Sequence, residues 1–378
     1  MLEFAAQTGL DPSTGAQRRY LWTDAFAVCN FLGLFLETAE DSWLDLALRL
    51  VDQVHDTLGR HRTGDPRQGW ISGLHEWEGE RHPTRGGLRI GKELAERGPD
   101  EPLDERLEWE RDGQYYHYLT KWMHALSRVG RVTGDPKYAA WGIELASTAH
   151  ARFTHIPWPG GPKRIYWKMS IDLSRSLVSS MGQHDPLDGL LACHELREAA
   201  AGDFPAVGFP DLREEIADLA GICRGTALMT DDPLGIGGLL SDACMMTQFM
   251  MEGRFREAAL LDKVLAAALQ GLESFTADDP LGIPTEYRLP FRELGLSIGL
   301  KGVERISRWN RERPELFAAM GDTRRKLERL MRFTPMATEI EQFWLHERAR
   351  KTGTWEEHRD INVVMLATSL APEGFLSV

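Results

Sequence analysis

Three Asp-Pro-Leu tripeptides, at Asp185, Asp232 and Asp279, recur at a constant interval of 47 residues. The later two extend to one hexapeptide, Asp231-Asp232-Pro233-Leu234-Gly235-Ile236 and Asp278-Asp279-Pro280-Leu281-Gly282-Ile283. A fixed interval of that length marks a repeated supersecondary unit and so constrains the whole architecture. Asp before Pro is a helix-start or turn signal, because proline presets φ and lacks the N–H that a first helical turn leaves unused. That chemistry explains the repetition, so Asp232 and Asp279 read as structural turns rather than as repeated acids.

Helical periodicity runs from end to end. Residues 18–39 and 42–59 form a first expected hairpin, and 112–129 and 136–153 a second, split by Thr133-Gly134-Asp135-Pro136. The third pair is about 186–200 and 210–224, and the fourth about 237–252 and 255–274. The fifth is about 290–308 and 314–331, with Pro290 and Pro314 in first turns. The last runs from Pro335 to Arg350 and from Trp355 to Ser369. Almost nothing reads as a strand. First members carry Gly, Met and aromatics, as in Gly237-Gly238-Leu239-Leu240, whereas second members are striped and charged, as in Asp322-Thr323-Arg324-Arg325-Lys326-Leu327-Glu328. Helices apolar all round are buried and striped ones face water. The pattern predicts an inner ring of first helices and an outer ring of second ones, in one all-α domain over 1–378.

Composition supports an ordinary soluble globular chain, with 42% hydrophobic and 27% charged residues. No apolar run is long enough to span a bilayer, and Met1-Leu2-Glu3-Phe4 opens no secretory signal. Cys29, Cys193, Cys223 and Cys244 have no CxxC spacing, so reduced thiols and a cytoplasmic location are expected. A net charge of −13 argues against nucleic acid as a partner.

Links within hairpins are short, but residues 60–111 and 154–184 form two long insertions, each leading into an inner helix. They contain Trp70, Trp77, Trp109, Trp158, Tyr166 and Trp167, a composition unlike disorder. Asp112-Gly113-Gln114-Tyr115-Tyr116-His117-Tyr118 opens the second inner helix, and Thr133-Gly134-Asp135-Pro136-Lys137-Tyr138 leads into its partner. With the six hairpins, these stretches make the chain resemble the (α/α)6 toroid shared by several glycoside hydrolase families and the N-acylglucosamine 2-epimerase family. The resemblance implies a sugar site in a funnel at the N-termini of the inner helices, where the insertions fall.

Glycoside cleavage needs one protonated carboxyl and a second carboxylate. Asp112, followed within a turn by Tyr115, Tyr116 and His117, is the first candidate acid/base, with Asp24 or Asp185 as its partner. Trp22, Tyr115, Tyr116 and Trp167 are candidate stacking surfaces for a sugar. The segment Arg81-His82-Pro83-Thr84-Arg85-Gly86-Gly87-Leu88-Arg89-Ile90-Gly91-Lys92 is cationic without an intervening acid. It offers His82, Arg85 and Arg89 to a substrate carboxylate, unless its cations pair with the acidic stretch Glu101 to Glu110. His117, Lys121, His124 and Arg128 share one helical face, expected to meet another helix. The leading expectation is a hydrolase of a short saccharide, uronate-containing ones included, with no metal or organic cofactor. The alternatives are a sugar 2-epimerase or isomerase using His184 and His117, and a non-catalytic binding toroid.

Overall fold

The computed structural model of the protein describes residues 1–13, 17–200, 210–317 and 322–378. Two compact units are found: residues 4–226 with Leu2, and residues 227–378 with Met1 and Glu3.

In the first unit, helices α1 (Leu21–Thr38) and α2 (Asp41–Leu58) form the opening hairpin. Its tight reversal places Ala39 in the left-handed region at φ 57°, where its N–H still bonds the Phe35 carbonyl. Helices α3 (Tyr116–Thr133) and α4 (Pro136–Phe153) follow. Gly134, at φ 70°, ends α3, and Asp135 caps α4 by accepting from the Lys137 N–H at 3.0 Å. Helices α5 (Asp185–Ala200) and α6 (Arg213–Gly225) complete the unit. Helix α1 buries every residue from Leu21 to Leu32, while α2 buries a stripe of Leu46, Leu50, Val54 and Leu58. The enclosed helices α1, α3 and α5 pack in succession, α3 touching both others. The apolar first members are thus the enclosed ones, as hydropathy dictates.

The second unit repeats the plan with α7 (Pro233–Met251), α8 (Ala258–Thr276), α9 (Pro290–Glu312), α10 (Thr323–Leu330), α11 (Pro335–Leu345) and α12 (Arg359–Leu370). Asp232 caps α7 by accepting from the Gly235 N–H at 2.8 Å. Asp279 instead sits in a left-handed turn at φ 46°, and the next long helix waits until Pro290. The Asp-Pro-Leu signal therefore starts a helix at Asp185 and Asp232 but only a turn at its third occurrence. The expected helix 314–331 is broken: Pro314–Leu316 is a 3-10 turn, residues 318–321 lie outside the described residues, and α10 begins at Thr323. No helix among the described residues is long and apolar enough to cross a membrane.

The insertions depart from the all-helical expectation. The second contains β2 (Thr154–His155), β3 (Arg164–Ile165), β4 (Lys168–Met169) and β5 (Ser176–Val178), and β1 (Gln114–Tyr115) follows the first. Strands this short leave no readable alternation. β1 pairs antiparallel with β4 and β4 with β5, so the run into α3 is stitched to the insertion that leads into α5. Ion pairs reinforce that stitching. Lys168, fully buried, pairs with Glu108 at 2.9 Å, and Arg97 holds the same carboxylate at 2.9 Å. Arg67 bridges Asp65, Glu96 and Asp172. Both insertions thus form one lobe at the N-termini of α3 and α5.

Candidate active site

The start of α3 differs from the expected helix over 112–129. Asp112 to Tyr115 are extended, with Gly113 at φ 150°. A side chain there would strike the Met169 carbonyl at 2.8 Å, so close pairing with β4 requires glycine. Asp112 has no solvent exposure. Its Oδ2 accepts from Arg89 at 2.9 Å and from Arg62 at 3.4 Å, and its Oδ1 from the N–H groups of Gly91 at 3.0 Å and Gly113 at 3.1 Å. Four donors make Asp112 the anchor of the lobe. Asp24 is also enclosed, with Arg19 at 3.4 Å and the Tyr20 N–H at 2.9 Å.

Two members of the cationic segment, Arg89 and His82, are held by protein groups. Arg89 is spent on Asp112 and on the carbonyls of Arg60 and Thr57. His82 bonds Glu144 on α4 at 2.5 Å, and the Arg85 carbonyl accepts from Thr148 on the same helix, which leaves Arg85 exposed there. The acidic stretch is paired instead by cations outside the segment: Arg111 takes Glu101, and Arg97 and Lys168 take Glu108.

Of the aromatic candidates, Tyr115 and Tyr116 are each 2% exposed, and Tyr116 packs on Phe153. Trp22 is 8% exposed and leans on Phe26. Their size and apolar area draw them into the packing. Trp167 remains partly open.

His117 and Asp185 are brought together, with His184 adjacent in the chain. They stand in a polar seam where α3 meets α5, made by the expected face of α3. Down that seam, His117 faces Asp185, Lys121 bonds Asp188 at 3.0 Å, and His124 donates to Glu195 at 2.7 Å. Burial pulls His124 down, but Glu195 and Cys29 outweigh it and hold the ring up to about 10. The lower pair is an ion pair closed off from water.

The upper pair is different. His117 Nδ1 lies 3.9 Å from Asp185 Oδ1, beyond hydrogen-bond length. Nδ1 of His117 and Oδ2 of Asp185 are both buried with no hydrogen-bond partner. Burial first, and then neighbouring Asp188, push Asp185 up to about 8, against a backbone bond from Gly182 and the charge of Lys121. Burial also pulls His117 down to about 4; Asp188 opposes this and Lys121 assists. At neutral pH the contact is thus a carboxylic acid beside a neutral imidazole, not a salt bridge. The His117 side chain keeps 27% exposure although Nδ1 is buried, so another part of the ring reaches solvent.

The local backbone explains this placement. The His184 carbonyl accepts from the N–H groups of Leu187 and Asp188, starting α5 so that Asp185 occupies its first turn. A helix N-terminus ordinarily favours a charged carboxylate, and here desolvation wins. Gly182 closes over the carboxyl; a Cβ there would lie 2.4 Å from it. Sequence singled out both residues but not their pairing, which needs the α3–α5 packing.

Neither a family model nor a curated protein matches the chain. Solved structures do, and they show the fold: six helical hairpins in an (α/α)6 toroid. A cellobiose 2-epimerase from Spirochaeta thermophila aligns with a TM-score of 0.51 at 13% identity, over 97% of this chain and 96% of that one. A GH76 α-mannanase from Bacteroides thetaiotaomicron aligns with a TM-score of 0.53 at 10% identity, over 95% and 88%. A D-mannose isomerase aligns with a TM-score of 0.51 at 14% identity, over 91% and 83%.

Proposed function

We propose that the protein is a carbohydrate-active enzyme that moves a proton next to a sugar carbonyl, as a 2-epimerase or isomerase does, with His117 and Asp185 as its acid/base dyad. The observation that carries this reading is that His117 Nδ1 lies 3.9 Å from Asp185 Oδ1, while Nδ1 and the other Asp185 oxygen, Oδ2, are both buried without a hydrogen-bond partner. Two titratable groups held this close without a hydrogen bond between them, one shifted up and one down, fit an acid/base pair. The similar solved structures include two sugar epimerases and a sugar isomerase, which supports the reaction class.

The dyad exchanges one proton. In its acid form the Asp185 hydroxyl faces imidazole Nδ1, and Nε2–H faces substrate. When Nε2 gives up its proton, Asp185 passes its own to Nδ1 and becomes a carboxylate. The reverse sequence accepts a proton from carbon. An exchange set by a group near pH 8 is well matched to general acid–base work around neutrality. His184, at the start of the same helix, is placed to contact substrate beside it. With Arg89 committed to Asp112, the geometry favours a neutral sugar over a uronate.

Hydrolysis is the second reading. Asp188 stands three residues after Asp185 on α5, a spacing that sets Cβ atoms about 5–6 Å apart, near the separation of a retaining carboxylate pair. The α-mannanase among the similar structures is consistent with it. Against it, Asp188 is engaged by Lys121 at 3.0 Å.

Incubation with reducing sugars in D2O separates the two. Deuterium at C2 of a new epimer, or at C1 of a new ketose isomer, lost in Asp185→Asn and His117→Gln, is the expected result. Shorter saccharides without exchange would install hydrolysis instead.

A further inference from the structure

Trp109 is 51% exposed, although its neighbours are among the most firmly held residues of the lobe. Glu108 is buried between Arg97 and Lys168, and Lys168 also donates to the carbonyls of Glu108 and Arg111. The Trp109 carbonyl accepts from Lys92. An indole on so rigid a frame is presented to solvent at a hydrophobic cost that folding alone does not require.

Its position gives that exposure a meaning. Trp109 meets Trp167 edge-on at 4.6 Å, Trp167 stacks on Tyr115 at 5.2 Å, and Tyr115 stacks on His117 at 5.6 Å. A chain of ring contacts therefore runs from the dyad, through buried Tyr115, to the surface at Trp167 and Trp109. The cations around it are committed to Glu108, to Glu101 and to backbone carbonyls. The outer end is aromatic and carries no uncommitted cation among the named partners, a surface suited to the apolar C–H face of an uncharged sugar.

We propose that Trp109 and Trp167 form a second sugar subsite, so that the preferred substrate is a neutral disaccharide or longer glycan whose terminal unit lies at His117. The inference rests on that dyad being the reacting site, but the subsite is testable without turnover. With the inactive Asp185→Asn protein, calorimetry should detect binding of at least one of a panel of neutral glucose and mannose trisaccharides. Adding Trp109→Ala should weaken that binding at least tenfold, with an unchanged thermal midpoint reporting an intact fold. In the active enzyme, Trp109→Ala should reduce the preference in kcat/KM for disaccharide over monosaccharide by a similar factor. Trisaccharide binding indifferent to both Trp109→Ala and Trp167→Ala would overturn the subsite, as would absence of binding to the whole panel. Binding that depends on Trp109 while no sugar is turned over would uphold the subsite and sink the dyad's assignment.

Discussion

Asp112 lies just before one enclosed helix and Asp185 in the first turn of another, and each is buried. They behave in opposite ways. Asp112 lies in the insertion lobe with four donors on two oxygens. Asp185 lies in the α3–α5 seam with one oxygen unpartnered and its proton held to about pH 8. Cationic and N–H donors around a buried carboxylate stabilise its charged form, whereas burial beside a second acid favours the protonated one. Sequence context cannot distinguish them, because the deciding partners, Arg62, Arg89 and Gly91 in one case and His117 in the other, arrive from distant positions.

The contrast is sharpest under parallel substitution. Asp185→Asn should cost about 10²–10⁴ in kcat/KM, the usual contribution of a positioned acid or base, while leaving the protein folded. Asp112→Asn should instead destabilise by about 3–5 kcal/mol, since it strands the Arg89 guanidinium in a buried setting; denaturant titration would measure it. Full turnover in Asp185→Asn alongside a dead but stable Asp112→Asn would reverse the two roles.

Proton linkage gives a smaller effect with a definite sign. Asp185 binds its proton more tightly folded than unfolded, so its stabilising contribution is complete below its ordinary value near 3.8 and fades as pH rises through about 8. Wild type should therefore lose stability relative to Asp185→Asn across that window, and a constant difference between them would contradict the burial argument. In activity, proton abstraction uses the deprotonated dyad, so kcat/KM should climb toward a plateau as pH passes about 8. A decline over that range would favour an acid-limited hydrolysis.

The smallest change is expected at Arg85. It is exposed against α4 rather than at the seam, so Arg85→Ala should shift stability by no more than about 0.5 kcal/mol. A large rise in KM for an acidic sugar in that variant would restore the cationic segment to the substrate site.

Much of the architecture was legible in the sequence, because helix periodicity and Asp-Pro starts are local signals. The helix 136–153 is read to the residue, and the Gly134-Asp135 turn carries its cap in plain view. The insertions were recognisable as important but not as a lobe, since two-residue strands and the Lys168–Glu108 pair depend on contacts between segments about 60 residues apart. At the site, His117, Asp185 and the polar face of α3 were visible one by one. What remained hidden was which acid finds enough donors, and that is a property of packing alone.

The central claim is that Asp185 keeps its proton at neutral pH while facing His117. A ¹³C carboxyl titration of aspartate-labelled protein, with Asp185→Asn supplying the assignment, tests it directly. The resonance should stay in the protonated range through neutrality and titrate near pH 8. A resonance already ionised at pH 5 would contradict it.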